Sequence, residues 1–221
     1  MPFHRLTPHL FPACLLLPLA LGVSACSRME SLFMSDDNAP TISVHEQPHP
    51  RQAYRIVMTI ENAPGPFAQV EGSARYDVVN YQACGELSKI PGAEGVASRI
   101  DHQPEVRMER LSDNTYAATV YADLMVDEDY YGRGTCHWKF SYFSALLRAT
   151  GDTRETRFLP SIDAGEIMAG KAVTWHFPNI RYPASGLPDF AEFGDQDPSK
   201  FKPEIQNQLF RIVLRAEEVH P

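Results

Sequence analysis

The most chemically distinctive stretch of this chain is a run of carboxylates and tyrosines in residues 123–138, DLMVDEDYYGRGTCHW. Carboxylates this close together must be solvated, neutralised by a cation or met by a basic partner. Tyrosine is favoured at protein interfaces because it offers contact area at low entropic cost. We therefore predict a partner-binding surface; a solvated loop, tyrosines that only seat the loop, and a calcium loop without a known ligand spacing are the alternatives. The residues predicted to bind are Asp123, Asp127, Glu128, Asp129, Tyr130 and Tyr131.

A second acidic stretch, DFAEFGDQD at residues 189–197, offers Phe190 and Phe193 as further anchors. The chain lacks G-x-S-x-G, a glycine-rich phosphate loop and an EF-hand loop. The letters H-E-x-x-H occur at residues 45–49 and S-x-x-K at residues 199–202. Many acids are present, but glycoside hydrolysis needs two of them at a fixed separation across a cleft. His45 and His49 are four residues apart, yet Pro48 and Pro50 disfavour a metal-binding helix there. We predict a protein that is not an enzyme, with no cofactor and no bound metal.

The first 25 residues have the features of an export signal. Arg5 precedes an apolar run from residue 11 to residue 23, which is shorter than the ~20 residues a spanning helix needs. The run ends in Val23-Ser24-Ala25-Cys26, which resembles the lipobox of bacterial lipoprotein precursors. The resemblance implies cleavage before Cys26, lipid attachment at Cys26 and, because Ser27 follows, delivery to the periplasmic face of the outer membrane. An ordinary signal peptide with a chance cysteine is the alternative.

The remainder divides into a tether and a folded domain. Residues 26–52 lack a sustained apolar period and contain Ser, Asp, Asn, Pro and His, so we predict a lipidated, flexible tether. The folded domain is predicted to span residues 53–221. Residues 54–61 and 69–78 alternate apolar with polar side chains and predict an antiparallel hairpin. Residues 210–216 predict a closing strand, with a helix over 203–218 as its rival, and residues 179–203 predict a long loop.

The cysteines predict one disulfide. Cys14 lies in the segment that would be cleaved and Cys26 would carry lipid, so Cys84 and Cys136 are left to pair in an oxidising compartment. A zinc site lacks paired ligands such as C-x-x-C, and a reactive thiol lacks an evident base. Both cysteines lie at predicted strand ends. The bridge is therefore expected to link the hairpin to the strand that follows the acidic loop, by which we mean the carboxylate- and tyrosine-rich part of residues 123–138.

These features predict a mainly β, antiparallel, sandwich-like single domain with one disulfide and long loops. The formal net charge is −8, which disfavours nucleic acid and suits a basic protein partner. The outline is similar to that of immunity lipoproteins paired with type VI secretion lipase effectors, and lysozyme-inhibitor lipoproteins share it. We therefore expect a membrane-anchored inhibitor of a toxic enzyme. An envelope-assembly or secretion-system scaffold is the first alternative, and a small hydrolase or ligand-binding protein is the second.

Overall fold

Alternating apolar residues form the long strands of a two-sheet structure, which is a computed structural model that describes residues 43–219. The signal segment, Cys26 and the tether up to residue 42 lie outside the described residues. No helix within residues 43–219 has the length and apolar character needed to cross a bilayer. In chain order the elements are β1 (Ala53–Glu61), β2 (Gln69–Val78), α1 (Tyr81–Cys84), β3 (Asp101–His102), β4 (Glu105–Val106), β5 (Glu109–Arg110), β6 (Thr115–Tyr121), β7 (Trp138–Arg148), β8 (Arg157–Phe158), β9 (Ser161–Asp163), α2 (Ala164–Met168), β10 (Ala172–Pro178), β11 (Ala191–Glu192) and β12 (Leu209–Val219).

The strands divide into two sheets whose buried faces form the core. One sheet has five strands in the order β10-β12-β1-β6-β5, and every pairing along it is antiparallel. The other has seven strands: β11-β8-β7-β2-β3 run in order, while β4 also pairs with β2 and β9 with β7. Only the β11–β8 pair is parallel among these described strands. The predicted fold class, a mainly β, antiparallel, sandwich-like domain, is confirmed.

Aromatic rings fill the centre of the core. Phe158 has no exposed surface, and its ring centroid lies 5.2 Å from that of Phe210 and 5.6 Å from that of Phe177. Phe67 packs edge-on against Phe158 at 5.7 Å. Such edge and offset contacts between rings stabilise beyond the area they bury. These rings come from both sheets and from the loop after β1, so the core joins all three.

The predicted hairpin of the first two strands is wrong. β1 pairs with β12 and β6 in the five-stranded sheet, whereas β2 pairs with β7, β3 and β4 in the other. Residues 62–68 carry the chain from one sheet to the other. Both strands alternate as predicted, but a period of two identifies the buried face of a strand and not its neighbour.

The C-terminal part of the chain follows the prediction more closely. Leu209–Val219 is a strand, so the rival helix is wrong, and it pairs with β1 on one side and β10 on the other. The long loop of residues 179–203 contains β11 and short 3-10 turns. One of its carboxylates, Asp189, lies 2.5 Å from the guanidinium of Arg148. Arg157 donates to the backbone carbonyl of Asp189 at 3.3 Å, so the loop is fastened to β7 and β8.

Candidate functional site

Residues 43–52, which the sequence assigns to the tether, lie along the predicted acidic loop. Gln47 donates its backbone N–H to the carbonyl of Leu124 at 2.6 Å, and Val126 donates to the carbonyl of His45 at 3.0 Å. Glu46 and Met125 form an isolated antiparallel bridge between the two segments. The folded unit therefore begins before Ala53, because this stretch has backbone partners that its polar sequence does not reveal.

Asp123 fastens that segment to the domain. Its carboxylate accepts the backbone N–H groups of Arg51 and Gln52, each at 2.9 Å. A carboxylate that accepts backbone N–H groups makes charge-assisted hydrogen bonds, which are about twice as strong as neutral ones. The side chain is thus occupied by the protein's own backbone.

We expect Asp123→Ala to release residues 43–52 from the domain while the two sheets stay folded. Losing hydrogen bonds to a charged group costs about 1.5 to 3 kcal/mol. Amide hydrogen exchange at Arg51 and Gln52 measures the release, and roughly tenfold faster exchange is expected. Asp113→Ala is the matched control, because the Asp113 side chain is 97% exposed. Unchanged exchange in the Asp123 variant would show that the segment is held by other contacts.

The other acids of the loop also have internal partners. Asp127 accepts the backbone N–H of Trp138 at 2.8 Å and contacts the His137 ring nitrogen at 2.7 Å. Glu128 contacts the His45 ring nitrogen at 2.7 Å, and its backbone carbonyl accepts the N–H of Cys136. These contacts shape the loop. Part of the bonding capacity of Asp127 and Glu128 is thus used inside the protein, and partner binding by these carboxylates stays a prediction.

Asp129 folds back on its own turn. Desolvation raises the pKa of its carboxyl, but backbone N–H groups of Gly134, Arg133 and two neighbouring residues outweigh it and lower that pKa. The Arg133 N–H lies 3.0 Å from the carboxylate. Gly132 and Gly134 have positive φ angles of 68° and 108°, which allow the tight turn that aims these donors at one side chain.

The lowered pKa of Asp129 predicts an acid-sensitive turn. A carboxyl with a lowered folded-state pKa stabilises the fold above its unfolded pKa of about 3.9, and the contribution disappears as pH falls through the folded value. We expect the Arg133 and Gly134 amide resonances to titrate together, with a midpoint below that of a free aspartate. In Asp129→Asn the same resonances should lose this titration; a midpoint near 4 in the natural protein would contradict the assignment.

The two tyrosines seat the loop against the disulfide. Tyr130 donates its hydroxyl to the Val126 carbonyl at 2.6 Å and packs edge-on against Trp138. Tyr131 packs beside the bridge, where burial raises the pKa of its hydroxyl, with a smaller contribution from the charge of Glu86. Both side chains are half-buried, so they face inward more than outward.

The predicted disulfide between Cys84 and Cys136 is confirmed, with a Cα–Cα distance of 5.3 Å. Cys84 ends α1, shortly after β2, and Cys136 lies just before β7. Because β2 and β7 are neighbours, the bridge closes one end of a strand pair within a single sheet. The expected link to the strand that follows the acidic loop is thus present, but it starts from β2 alone, because β1 and β2 do not form a hairpin.

A groove crosses the outer face of the seven-stranded sheet, and we name it the sheet groove. Its floor is a row of small side chains on neighbouring strands: Ser73 of β2 is opposite Ser144 of β7, which is opposite Ser161 of β9. The Ser73 and Ser144 hydroxyls are 3.0 Å apart, and Gln103 donates to Ser73 at 2.9 Å. Larger side chains flank this row, so the short serines leave a trough of about 410 Å³.

The two walls of the sheet groove come from the next rows of the sheet. Tyr142 lies on one side, and Leu146 lies on the other, two residues along β7 in either direction from Ser144. Leu159 and Phe193 continue the Leu146 wall after the ends of β8 and β11. Phe193 is 63% exposed, so its ring presents apolar surface to solvent. The groove thus combines a polar floor with an apolar wall.

The ends of the sheet groove differ in charge. Glu105 and Glu71 line one end, and neither makes an ion pair with any residue in the 43–219 range. Arg157 lies at the other end, where it contacts the Asp189 backbone and forms an ion pair with the Asp189 carboxylate at 2.9 Å. The groove is therefore more negative at its Glu71 end, where the two carboxylates have no cationic partner within the described residues, than at its Arg157 end.

The second acidic stretch contributes to this groove through one residue. Asp189 is engaged by Arg148, and the Arg181 guanidinium lies over the Phe190 ring at 4.8 Å, so both side chains serve the loop itself. Phe193 alone projects, and it does so into the groove wall. No local sequence signal identifies the other lining residues, because most of them come from five strands, β2, β4, β7, β8 and β9, that are spread along the chain.

The remaining ionisable groups do not form a metal centre in the described part of the chain, where no group of three or more potential ligands is present. His45, His102 and His137 each contact a carboxylate, and no histidine of residues 43–219 hydrogen-bonds to a serine. Comparison with protein families, with curated proteins and with solved structures finds no match to this chain.

Proposed function

We propose that this protein is a lipid-anchored lipoprotein of the periplasmic face of the outer membrane that binds and inhibits a toxic enzyme. The sheet groove is the observation that carries the proposal. A groove with an exposed aromatic ring at one end and, at the other, two carboxylates without ion pairs in the described part of the chain has the composition expected of a protein-binding surface with a few dominant anchors. The lipobox-like residues before Cys26, the acidic chain and the immunity-lipoprotein outline support the rest.

The architecture suits inhibition by occlusion. The serine floor and the wall residues Tyr142 and Leu146 come from paired strands, and a rigid surface loses little conformational entropy when it binds. Complementary charge on a basic enzyme would raise the rate of encounter. An inhibitor of this kind blocks the enzyme's cleft and needs no catalytic group of its own.

A scaffold of envelope assembly or secretion is the second proposal, and one feature favours it. The loop between α1 and β3 exposes large apolar side chains at the disulfide end of the domain; Val79 precedes it, and Leu87, Ile90 and Val96 lie within it. Exposed apolar patches mark interaction sites in many proteins. A scaffold would use this end for stable assembly, whereas an inhibitor would use the sheet groove.

The experiment that separates these functions is capture of partners by the full-length protein, purified in detergent with its disulfide intact. Extracts and secreted fractions of the producing bacterium supply the candidates. An inhibitor should retain one enzyme whose activity falls to zero at a one-to-one ratio. Recovery of envelope components without loss of any activity would instead support the scaffold, and turnover of a substrate by the protein alone would support the hydrolase alternative.

The anchor has its own test. Metabolic labelling with palmitate should mark the natural chain, and Cys26→Ala should abolish the label and move the protein into the soluble periplasmic fraction. Removing the acyl chains removes about 0.8 kcal/mol of membrane affinity per buried methylene, which leaves nothing comparable to hold the chain. Ser27→Ala is the neighbouring control and should retain the label. If the natural protein does not incorporate palmitate, the lipoprotein proposal is wrong.

A further inference from the structure

We infer that the sheet groove binds an extended segment of the partner in which a basic residue and an apolar residue lie about four positions apart. This inference rests on the proposed function, since it names the chemistry that the same surface recognises. It follows from three properties of the groove: the charged and apolar residues at its two ends, its length, and its polar floor.

The residues at the two ends of the sheet groove determine where the basic and the apolar side chain of the partner bind. Glu71 and Glu105 are exposed and make no ion pair within residues 43–219. Glu71 accepts one hydrogen bond, from the Gln69 amide at 2.6 Å, and both carboxylates keep oxygens that can accept an arginine or lysine of the partner. At the other end, Arg157 is ion-paired with Asp189 and attracts a partner cation less than the glutamates do, while Leu159 and Phe193 offer an apolar surface. The basic residue therefore belongs at the Glu71 end and the apolar residue against Phe193.

The length of the groove determines the spacing between those two residues. Glu105 is opposite Ser73, which leads through Ser144 to Ser161, so the floor spans three strand-to-strand intervals. In the neighbouring row of side chains, Glu71 is opposite Leu146, and Leu159 and Phe193 continue that row toward the other end of the groove. Three intervals of about 4.8 Å make about 14 Å. An extended chain rises about 3.3 Å per residue, so about four residues cover that distance.

The floor favours an extended backbone between the two anchors. Ser73, Ser144 and Ser161 present hydroxyl groups that both donate and accept, and Gln103 adds an amide. These groups can pair with the N–H and C=O groups of a bound chain, which a wholly apolar trough could not do. Small side chains also let the bound backbone lie close to the sheet. A bulky or helical segment would not enter a trough bounded by Tyr142 and Leu146.

A displayed library of random linear dodecapeptides, panned against the full-length protein in detergent, tests this inference. We expect recovered peptides to share one arginine or lysine and one aromatic or aliphatic residue three to five positions away. Their affinity should fall as salt is raised, because screening weakens the ionic contact. Recovered peptides without a basic residue, or no enrichment above background, would overturn the inference.

Three variants locate the bound peptides. Phe193→Ala, and separately the pair Glu71→Gln with Glu105→Gln, should each weaken binding at least about tenfold, as expected for interface anchors. Glu217→Gln is the matched control, since Glu217 is exposed on β12 in the other sheet. Equal binding to all of these variants would place the peptides elsewhere.

Failure of this inference and failure of the proposed function have different signatures. If a captured enzyme is inhibited equally by the natural protein and by the Phe193 and Glu71/Glu105 variants, the inhibitor function holds and the groove is not its site. If peptides with the expected spacing bind in the groove but the protein inhibits no enzyme, the recognition chemistry holds and the inhibitor function does not.

Discussion

Replacing Phe158 with alanine is expected to lower the free energy of unfolding by about 3 to 5 kcal/mol, the range for phenylalanine in a well-packed core. The Phe158 side chain is fully buried, and its neighbours Phe67, Phe177 and Phe210 are themselves core rings with little room to collapse into a cavity. Urea unfolding followed by circular dichroism gives the difference directly.

The same substitution at an exposed ring is the control. Phe193→Ala should change the free energy of unfolding by no more than about 0.5 kcal/mol, because little of that side chain is buried. Equal destabilisation by the two variants would contradict the placement of Phe158 at the core centre and of Phe193 at the groove wall. The contrast also bears on function, because Phe158 is flanked by the groove residues Arg157 and Leu159. Loss of partner binding in Phe158→Ala would reflect a displaced wall rather than a lost contact.

The sequence predicted the strands better than their partners. Apolar and polar residues alternate in three runs, Ala53–Glu61, Gln69–Val78 and Leu209–Val219. This alternation identifies the buried face of each strand. Which sheet receives a strand depends on contacts distant in sequence, and consecutive strands are neighbours only about two-thirds of the time. Short strands such as β4 and β11 have two residues each, too few for any period to be visible.

The candidate site shows the same difference between features that a local sequence pattern reveals and features that depend on distant contacts. The acidic loop was conspicuous because its carboxylates are adjacent in sequence, yet their partners include N–H groups of Arg51 and Trp138, which no local pattern reveals. The residues of the sheet groove, in contrast, are not conspicuous in the sequence. Ser73, Ser144 and Ser161 are ordinary residues in sequence and become a floor only through strand register. The disulfide was predictable because the proposed export signal would remove Cys14 and assign Cys26 to lipid, which leaves one pairing.

Converting both Cys84 and Cys136 to serine is expected to lower the free energy of unfolding by about 4 kcal/mol in the chain-entropy account. The bridge joins residues separated by 52 positions, so its loss restores considerable freedom to the unfolded chain. For a domain of this size the melting temperature should fall by roughly 10 °C. Calorimetry of the natural protein with and without a reducing agent should reproduce the shift, and coincident melting curves would show that the bridge contributes nothing to stability.

The disulfide variant also separates the two candidate surfaces. The bridge lies beside the Val78–Trp138 end of the β2–β7 pair, where Tyr130 and Tyr131 pack, whereas the serine floor is centred at Ser73 and Ser144 further along the same strands. Below its melting temperature the variant should therefore keep the sheet groove while the acidic loop loosens. Partner affinity within about twofold of the natural value would assign binding to the groove. A loss of tenfold or more, about 1.4 kcal/mol, with the groove peptides still bound, would return it to the disulfide end, where Asp127 and Glu128 lie together with the exposed apolar loop between α1 and β3.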